Sequence, residues 1–340
     1  MINVFEGNTA NDVWQKALSE IYHGKNTKHQ TGRGGTTLEI LHAAFTLTNP
    51  RQRWIVARYP ALNPAFAIAE VIWILCGRND AAFLNYWNSQ LPKYAGTGTE
   101  YHGAYGYRLR THFEIDQLER AYLALQHNPD SRQVVLQIWD SLKDFPDEEG
   151  NPVNPDIPCN ITSLLKIRDG RLEWMQIMRS NDLFRGVPYN FIQFTSIQEI
   201  LAGWLNVEPG SYNQISDSLH IYSEDAKFVK TNLSSDVQQN TDSLCLPKER
   251  SDAVLAKLNS CIEAMIAPNL SQEAIHKLLN EIDVPNAYHN LLLVVGAEAA
   301  RKRGWLNFAQ TLMVSCSNPV LTQAWERWFM RFQRQRETEG

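Results

Sequence analysis

Residues 156–190 read DIPCN, ITSLLKI, RDGR, LEWMQIM, RSNDLFRGVPYN, and this stretch decides which sheet the chain builds. Two apolar runs flank Asp169-Gly170, the pair that a two-residue type I′ turn demands because both central positions need positive φ. With Asp169 and Gly170 as the loop, Arg168 faces Arg171. Counting back places Asn160 opposite Arg179 and Cys159 opposite Ser180. The hairpin therefore carries a thiol and a guanidinium to the same end of the sheet. The thiolate is the reactive form of cysteine, and a nearby cation favours it. In unbroken register Arg179 points to the face opposite Cys159, so contact requires a bulge or a strand end.

Outward from the hairpin, ANDVWQKALSEIY (10–22) has helical spacing, with Asn8 or Thr9 as its cap. The polar segment GKNTKHQTGRGGT (24–36) reads as a Gly-rich loop before a strand, TTLEILHAAFTL. Residues 64–76, PAFAIAEVIWILC, form an almost wholly apolar helix with a single acid, Glu70. QVVLQIW (133–139) supplies a further strand. NFIQFTSIQEILAGWLN reads as a buried helix stopped by Pro209-Gly210, and SDSLHIYSED as a short strand and turn. Beyond residue 245 five segments read as helices, beginning LPKERSDAV, SQEAIHKLL, AYHNLLLVV, GWLNFAQTL and PVLTQAWERW. The expected fold is α+β, with 1–240 as a catalytic body and 241–340 as a helical C-terminal extension. The terminal RQRETEG is expected to be solvated.

The bulk numbers bound the function classes. At 340 residues, 44% hydrophobic, with ten Trp, twelve Tyr and thirteen Phe, the chain has material for a large core. A net charge of −5 argues against a duplex nucleic-acid binder, although local cations suit one small anion. Five cysteines, odd in number and without CxxC or Cys/His ligand spacing, suit a reducing compartment and argue against a structural metal. With no signal-peptide pattern and no 18-residue apolar run, the expectation is a cytoplasmic protein without a membrane partner.

Several residues are candidates for chemistry. Taken alone, Cys159 reads as a core thiol; the proline before it and Arg179 after the hairpin shift that reading toward a nucleophile. Glu70, inside AIAEVIWIL, must pair, protonate or act as an acid/base group. The loop around Gly32–Gly35 with Arg33 reads equally as a flexible turn or a phosphate cradle. Arg132, closing Asn128-Pro129-Asp130-Ser131, either ends a turn or reaches an oxyanion. His220 and Tyr222, two apart on SLHIY, share one strand face.

Together these pieces resemble the thymidylate synthase family, which includes the pyrimidine nucleotide hydroxymethylases. The resemblance rests on Pro158-Cys159, the run Arg179-Ser180-Asn181-Asp182, Gly186, Asn190, and His220 with Tyr222. TLEIL, EVIWILCG, AYGYRLR and NPDSR precede them in the expected order, so the similarity covers residues 10–230. It implies a large mixed sheet packed with helices, a homodimer, a pyrimidine nucleoside monophosphate substrate and 5,10-methylenetetrahydrofolate as co-substrate, with no metal. It also implies roles. Cys159 attacks C6; Arg179, Ser180 and Arg33 hold the phosphate, with Gln30 the alternative alignment for Arg33. Arg132 is donated across the dimer interface, followed here by Gln133. Asn190 reads the pyrimidine amide edge, where uracil offers N3–H and O4. His220 and Tyr222 bind the sugar, Asp182 the pterin with Gly186 beside it, Glu70 organises water and proton transfer, and Tyr105 lines proton removal at C5.

Three departures shape the expected product. Asn160 follows Pro-Cys where synthases usually have His, and MRSND and SLHIY are closer in wording to hydroxymethylases. The chain also continues for about a hundred residues past the point where synthases carry a short apolar tail over the site. Reductive methylation excludes water from the exocyclic methylene until hydride arrives, whereas hydroxymethylation requires water there. The leading expectation is 5-hydroxymethylation of a uridylate-type nucleotide. The alternatives are thymidylate synthase itself and a non-catalytic nucleotide-binding homologue.

Overall fold

The structure is a computed structural model that describes residues 2–24, 26–32, 35–229 and 236–339. Its centre is a seven-stranded mixed sheet: β1 (Asn3–Gly7), β2 (Lys28–Gly32), β3 (Gly35–Leu47), β4 (Val135–Gln137), β5 (Asn160–Arg168), β6 (Arg171–Asp182) and β7 (Glu208–Tyr222). The strand order is β1-β3-β7-β6-β5-β4, with β2 paired to β3 off that path. β1/β3 and β6/β7 are parallel and the other pairs antiparallel, so the expected α+β class with a large mixed sheet holds.

The β5–β6 hairpin turns where the residues demand it. Asp169 has φ 50° and Gly170 φ 69°, and Arg168 faces Arg171. The register holds as far as Thr162 opposite Ile177, then slips at a bulge, so that Asn160 faces Met178. Cys159 is thereby set against Arg179, whose N–H donates to the Cys159 carbonyl at 2.9 Å.

The long helices are α1 (Ala10–His23), α2 (Pro64–Leu75), α3 (Ala81–Trp87), α6 (Gln117–His127) and α8 (Val187–Trp204), then α10 (Lys248–Ile266), α11 (Gln272–Glu281), α12 (Asn286–Lys302), α13 (Leu306–Val314) and α14 (Pro319–Glu339). Short turns lie at α4 (Pro92–Ala95), α5 (Tyr105–Tyr107), α7 (Ser141–Asp144) and α9 (Ser223–Ala226). Thr9 caps α1 by accepting from the Asp12 N–H at 3.1 Å, and Asn63 caps α2 through the Phe66 N–H at 3.1 Å. α2 and α8 are apolar almost all round: α8 is buried between β6, β7 and α2, and α2 among α3, α8, α10, α12 and α14. Among the described residues, no helix is long and apolar enough to cross a membrane.

Two local expectations change. The segment 24–36 is not simply a loop: Lys28–Gly32 pairs with β3 as a polar, exposed hairpin held by its backbone ladder, without the apolar alternation that marks a strand in sequence. Arg33 and Gly34 lie outside the described residues. Pro209-Gly210 does not stop α8. The helix ends at Trp204, Asn206 takes φ 54°, and Pro209 and Gly210 already belong to the entrance of β7, where proline is tolerated. The C-terminal RQRETE continues α14.

The C-terminal helices are built into the same core. One apolar cluster runs from Phe5 to Phe329, and α10, α12 and α14 all pack on α2. Polar ties fasten the segment that leads into them. Glu199, buried on α8, accepts from Arg51 Nε at 2.9 Å, from Arg53, and from Ser243 Oγ and the Leu244 N–H at 3.1 Å each. Burial alone would raise this carboxyl; Arg53 and Arg51 outweigh it and hold it below the usual carboxylate range. Asp242 accepts from Asn290 at 3.0 Å and Asn318 at 2.7 Å, and the Tyr288 hydroxyl donates to the Leu244 carbonyl at 2.6 Å.

Candidate active site

A cleft of about 2470 Å³, including its open mouth, lies between α2, the turns around α4 and α5, the start of β5, the loop after β6, and α12 and α14. Cys159, Glu70, Tyr105, Gly186 and Asn190 all line it. Residues 120 positions apart thus reach one cavity because α2 and α8 are packed side by side and the bulge turns Cys159 toward the cleft.

Arg179 wraps the segment that presents the thiol. Its Nε donates to the Pro158 carbonyl at 2.9 Å and its Nη2 to the Ile157 carbonyl at 3.1 Å, while the guanidinium carbon sits 5.6 Å from the Trp139 ring. Tyr105 stacks on Phe194 at 6.0 Å. Burial drives the Tyr105 hydroxyl well above the ordinary tyrosine range; Cys159, Asp156 and Glu70 push the same way and Arg179 opposes them.

The acid of α2 is in an unusual state. Burial pushes Glu70 up to about 7, opposed by the Gln193 side chain, and its Oε2 is enclosed without a partner among the described residues. Gln193 also accepts from Asn190 Nδ2 at 3.1 Å. One amide therefore connects the acid on α2 to the base-reading candidate on α8. Asp156, three residues ahead of Cys159, is raised by burial against the Gly103 N–H, which reaches it at 2.7 Å, and against His102.

Other expected residues do not line the cleft. Asp182 Oδ1 accepts from the N–H groups of Phe184 and Arg185, each at 2.8 Å, and shapes the loop that brings Gly186 to the wall. At Gly186 an added Cβ would meet Asn181 Oδ1 at 2.8 Å and the Asp182 carbonyl oxygen at 3.1 Å, so a side chain fits there only if Asn181 moves. His220 pairs with Asp182 in the β6–β7 ladder and packs edge-on against Tyr222 at 5.6 Å, the shared face expected of the pair. Ser180 faces Ser218 in the same ladder. Asn160 is fully buried beneath the floor, accepting from Gln176 Nε2, and does not line the cleft. Arg132 is exposed and does not line it. Arg33 falls outside the described residues.

Residues not singled out in the sequence complete the walls. Arg185 donates to Asp225 at 2.6 Å, to the Tyr94 hydroxyl at 2.9 Å and to Glu224, and lies 4.9 Å from the Tyr222 ring. From α12, Glu298 holds Arg301 through contacts of 2.7 and 2.8 Å and accepts from Trp328 of α14 at 3.0 Å. Gln193 was detectable, being three residues from Asn190 on one helix face. Arg58 and the α12 and α14 residues carry no local signal.

The family profile described as Thymidylate synthase matches residues 12–260. The chain belongs to the thymidylate synthase family. A deoxyuridylate hydroxymethyltransferase of Bacillus phage SP01 is 31% identical over 345 residues, 91% of this chain and 88% of that one. One of Pseudomonas phage M6 is 38% identical over 164 residues, 48% of this chain and 45% of that one. An archaeal chain from Methanothermobacter thermautotrophicus, described provisionally as a thymidylate synthase, is 28% identical over 228 residues, 64% of this chain and 92% of that one. As a thymidylate synthase family member, the protein is a folate-dependent transferase acting at C5 of a pyrimidine nucleotide.

Proposed function

We propose that this enzyme places the one-carbon unit of 5,10-methylenetetrahydrofolate on C5 of a uridylate-type nucleoside monophosphate, through a Cys159–C6 adduct, and finishes by adding water to give a 5-hydroxymethyl nucleotide. The observation that carries this reading is the shared cleft of Cys159, Glu70, Tyr105 and Asn190, with Gln193 joining Glu70 to Asn190. The folate supplies the carbon at the oxidation level of formaldehyde. The cleft suits a flat pterin, because Trp87, Tyr94, Tyr189 and Phe228 line its walls.

The Cys159 thiolate adds to C6 and pushes the ring electrons to C5, which bonds to the one-carbon unit. Tyr105 faces the C5 proton as it leaves. Loss of that proton and departure of tetrahydrofolate with its electron pair leave an exocyclic methylene on the pyrimidine. Glu70 positions a water, whose oxygen bonds to the methylene as the electrons return and expel Cys159 from C6. Nucleotide, methylenetetrahydrofolate and water thus become hydroxymethyl nucleotide and tetrahydrofolate, with no net oxidation.

Asn190 accepts and donates at the uracil amide edge. Arg179 and Ser180 hold the phosphate with Arg132 of the partner subunit in a homodimer, while His220 and Tyr222 take the sugar. Asp182 and Gly186 form the pterin side, and Asn160 supports the floor from below through Gln176. In this reading residues 1–240 perform the chemistry, and 241–340 replace a short terminal tail with the α12–α14 wall.

Uracil and the hydroxymethyl outcome are supported by Asn190 and by the two phage relatives whose names specify deoxyuridylate hydroxymethyl transfer. Reductive methylation is the second reading, favoured by Trp328 and Phe332 at the cleft, which could exclude water. Incubation with dUMP, UMP, dCMP or CMP and methylenetetrahydrofolate, with products weighed, tests both. Gain of CH2O with tetrahydrofolate regenerated supports hydroxymethylation. Gain of CH2 with dihydrofolate, seen by its absorbance rise, assigns the synthase instead, and no product with any nucleotide overturns both.

A further inference from the structure

Cys159 and Tyr105 reach the cleft from different elements, the thiol from the start of β5 and the phenol from the α5 turn, more than fifty positions earlier. In the reaction proposed above they serve the two ends of one bond, sulfur at C6 and the phenol at the C5 proton. Their separation therefore has to hold closely, because a misplacement of about 1 Å can cost about a hundredfold in rate. The Tyr105 turn is anchored from beneath by Arg108, which is fully buried. Arg108 donates to the His102 carbonyl at 3.1 and 3.0 Å, to the Ile138 carbonyl at 2.9 Å and to Asp144 at 2.6 and 2.8 Å. His102 Nε2 lies 2.8 Å from Asp144 Oδ1. None of these bonds reaches the segment that carries the thiol.

Asp156 does reach across. It lines the cleft beside Cys159, Gly103 and Tyr105, and its Oδ2 accepts from the Gly103 N–H at 2.7 Å. The two backbones approach so closely that a Cβ at Gly103 would meet the Asp156 carbonyl oxygen at 2.8 Å and its Oδ1 at 3.2 Å. The next two carbonyls, of Ile157 and Pro158, are held by Arg179, so the chain from Asp156 to the thiol is tied along its length. We propose that Asp156 is a positioning residue, whose bond to Gly103 sets the distance between the Tyr105 turn and the Cys159 segment so that both act on one pyrimidine ring. This rests on the covalent mechanism proposed above and adds to it a residue that acts through its neighbours.

The test compares Asp156→Ala, Asp156→Asn and Gly103→Ala in the full-length protein. It reads dUMP affinity, tritium release from C5-labelled dUMP with methylenetetrahydrofolate, and the thermal unfolding midpoint, with rates taken well below each midpoint. Alanine at 156 removes the acceptor, asparagine keeps one for the Gly103 N–H, and a methyl at 103 wedges the two segments apart. Asp156→Ala and Gly103→Ala are expected to release tritium about a hundredfold more slowly at saturating dUMP, with the dUMP Kd within about threefold of wild type. Asp156→Asn is expected to recover about tenfold or more of that loss. Should Asp156→Ala not fold, the other two variants carry the test, one retaining rate and the other losing it. Unchanged release with only the midpoint lowered overturns the proposal and leaves the contact structural. Asp156→Asn as slow as the alanine or Gly103→Ala variant also overturns it, since the carboxyl would then be needed for its charge or proton. A dUMP affinity that falls in step with the rate does the same, by moving Asp156 into nucleotide binding. Absence of tritium release from the wild type, seen before any substitution, overturns the covalent mechanism itself and the proposal with it.

Discussion

The main-chain N–H of Arg179 donates to the Cys159 carbonyl at 2.9 Å, one residue out of the register that the Asp169-Gly170 turn alone imposes. The bulge between Asn160 and Thr162 produces that slip. A one-residue slip moves a side chain to the opposite face of a strand, so the bulge brings thiol and guanidinium to a common segment. Without it, the Cys159 side chain would face the core that encloses Asn160.

Cys159→Ala should abolish tritium release from C5-labelled dUMP while nucleotide binding remains measurable by calorimetry, because the side chain supplies the adduct and not the binding contacts. Exchange at the wild-type rate in the variant would falsify the covalent mechanism.

Glu70 makes stability depend on pH in a defined direction. The folded protein keeps its proton up to about 7, whereas the unfolded chain releases it near 4.5, so folding binds a proton between those values. The contribution is complete below 4.5 and is lost as pH rises through 7. Glu70→Gln removes this loss: the variant should match wild type near pH 4 and exceed its unfolding free energy by about 3 kcal/mol at pH 8. Its turnover should fall at least about a hundredfold, as expected for removal of an acid/base group. Urea unfolding from pH 4 to 8 decides; parallel stability curves for the two proteins would contradict the raised value.

Asn190→Asp should shift preference from uracil toward cytosine nucleotides by about tenfold or more, since a carboxylate accepts from the cytosine amino group but cannot donate to O4. Relative kcat/KM for dUMP and dCMP measures this. An unchanged ratio places base recognition on other residues, with Gln193 the next to examine.

Arg132, exposed and outside the lining of its own cleft, gives a test of the proposed homodimer. Arg132→Ala should raise the nucleotide KM. Mixing it with Cys159→Ala protein, after co-refolding, should restore one complete site per mixed dimer, about a quarter of wild-type activity from a statistical mixture. Activity no greater than the sum of the separate parents would show that Arg132 does not act in trans.

Local chemistry made much of this chain legible. The turn at Asp169-Gly170, the Thr9 cap and all five C-terminal helices follow from neighbours within a few positions, where propensity and periodicity act. The polar β2 strand did not, because its stability comes from pairing with β3 and not from its own pattern. Likewise Pro209-Gly210 looks like a helix stop, yet Asn206 has already turned the chain and the strand begins there.

From sequence alone, the thiol, the arginine and the acid were identifiable by residue type and order, and so was the need for a break in the hairpin ladder. Only the tertiary structure decided where that break falls, that Gln193 joins Asn190 to Glu70, that Asn160 is buried beneath the floor, and that α12 and α14 wall the cleft. The physical reason is range. Turn and cap preferences act across a few bonds, whereas a cavity is set by the packing of α2, α8, α12 and α14, whose contacts span more than two hundred residues of chain.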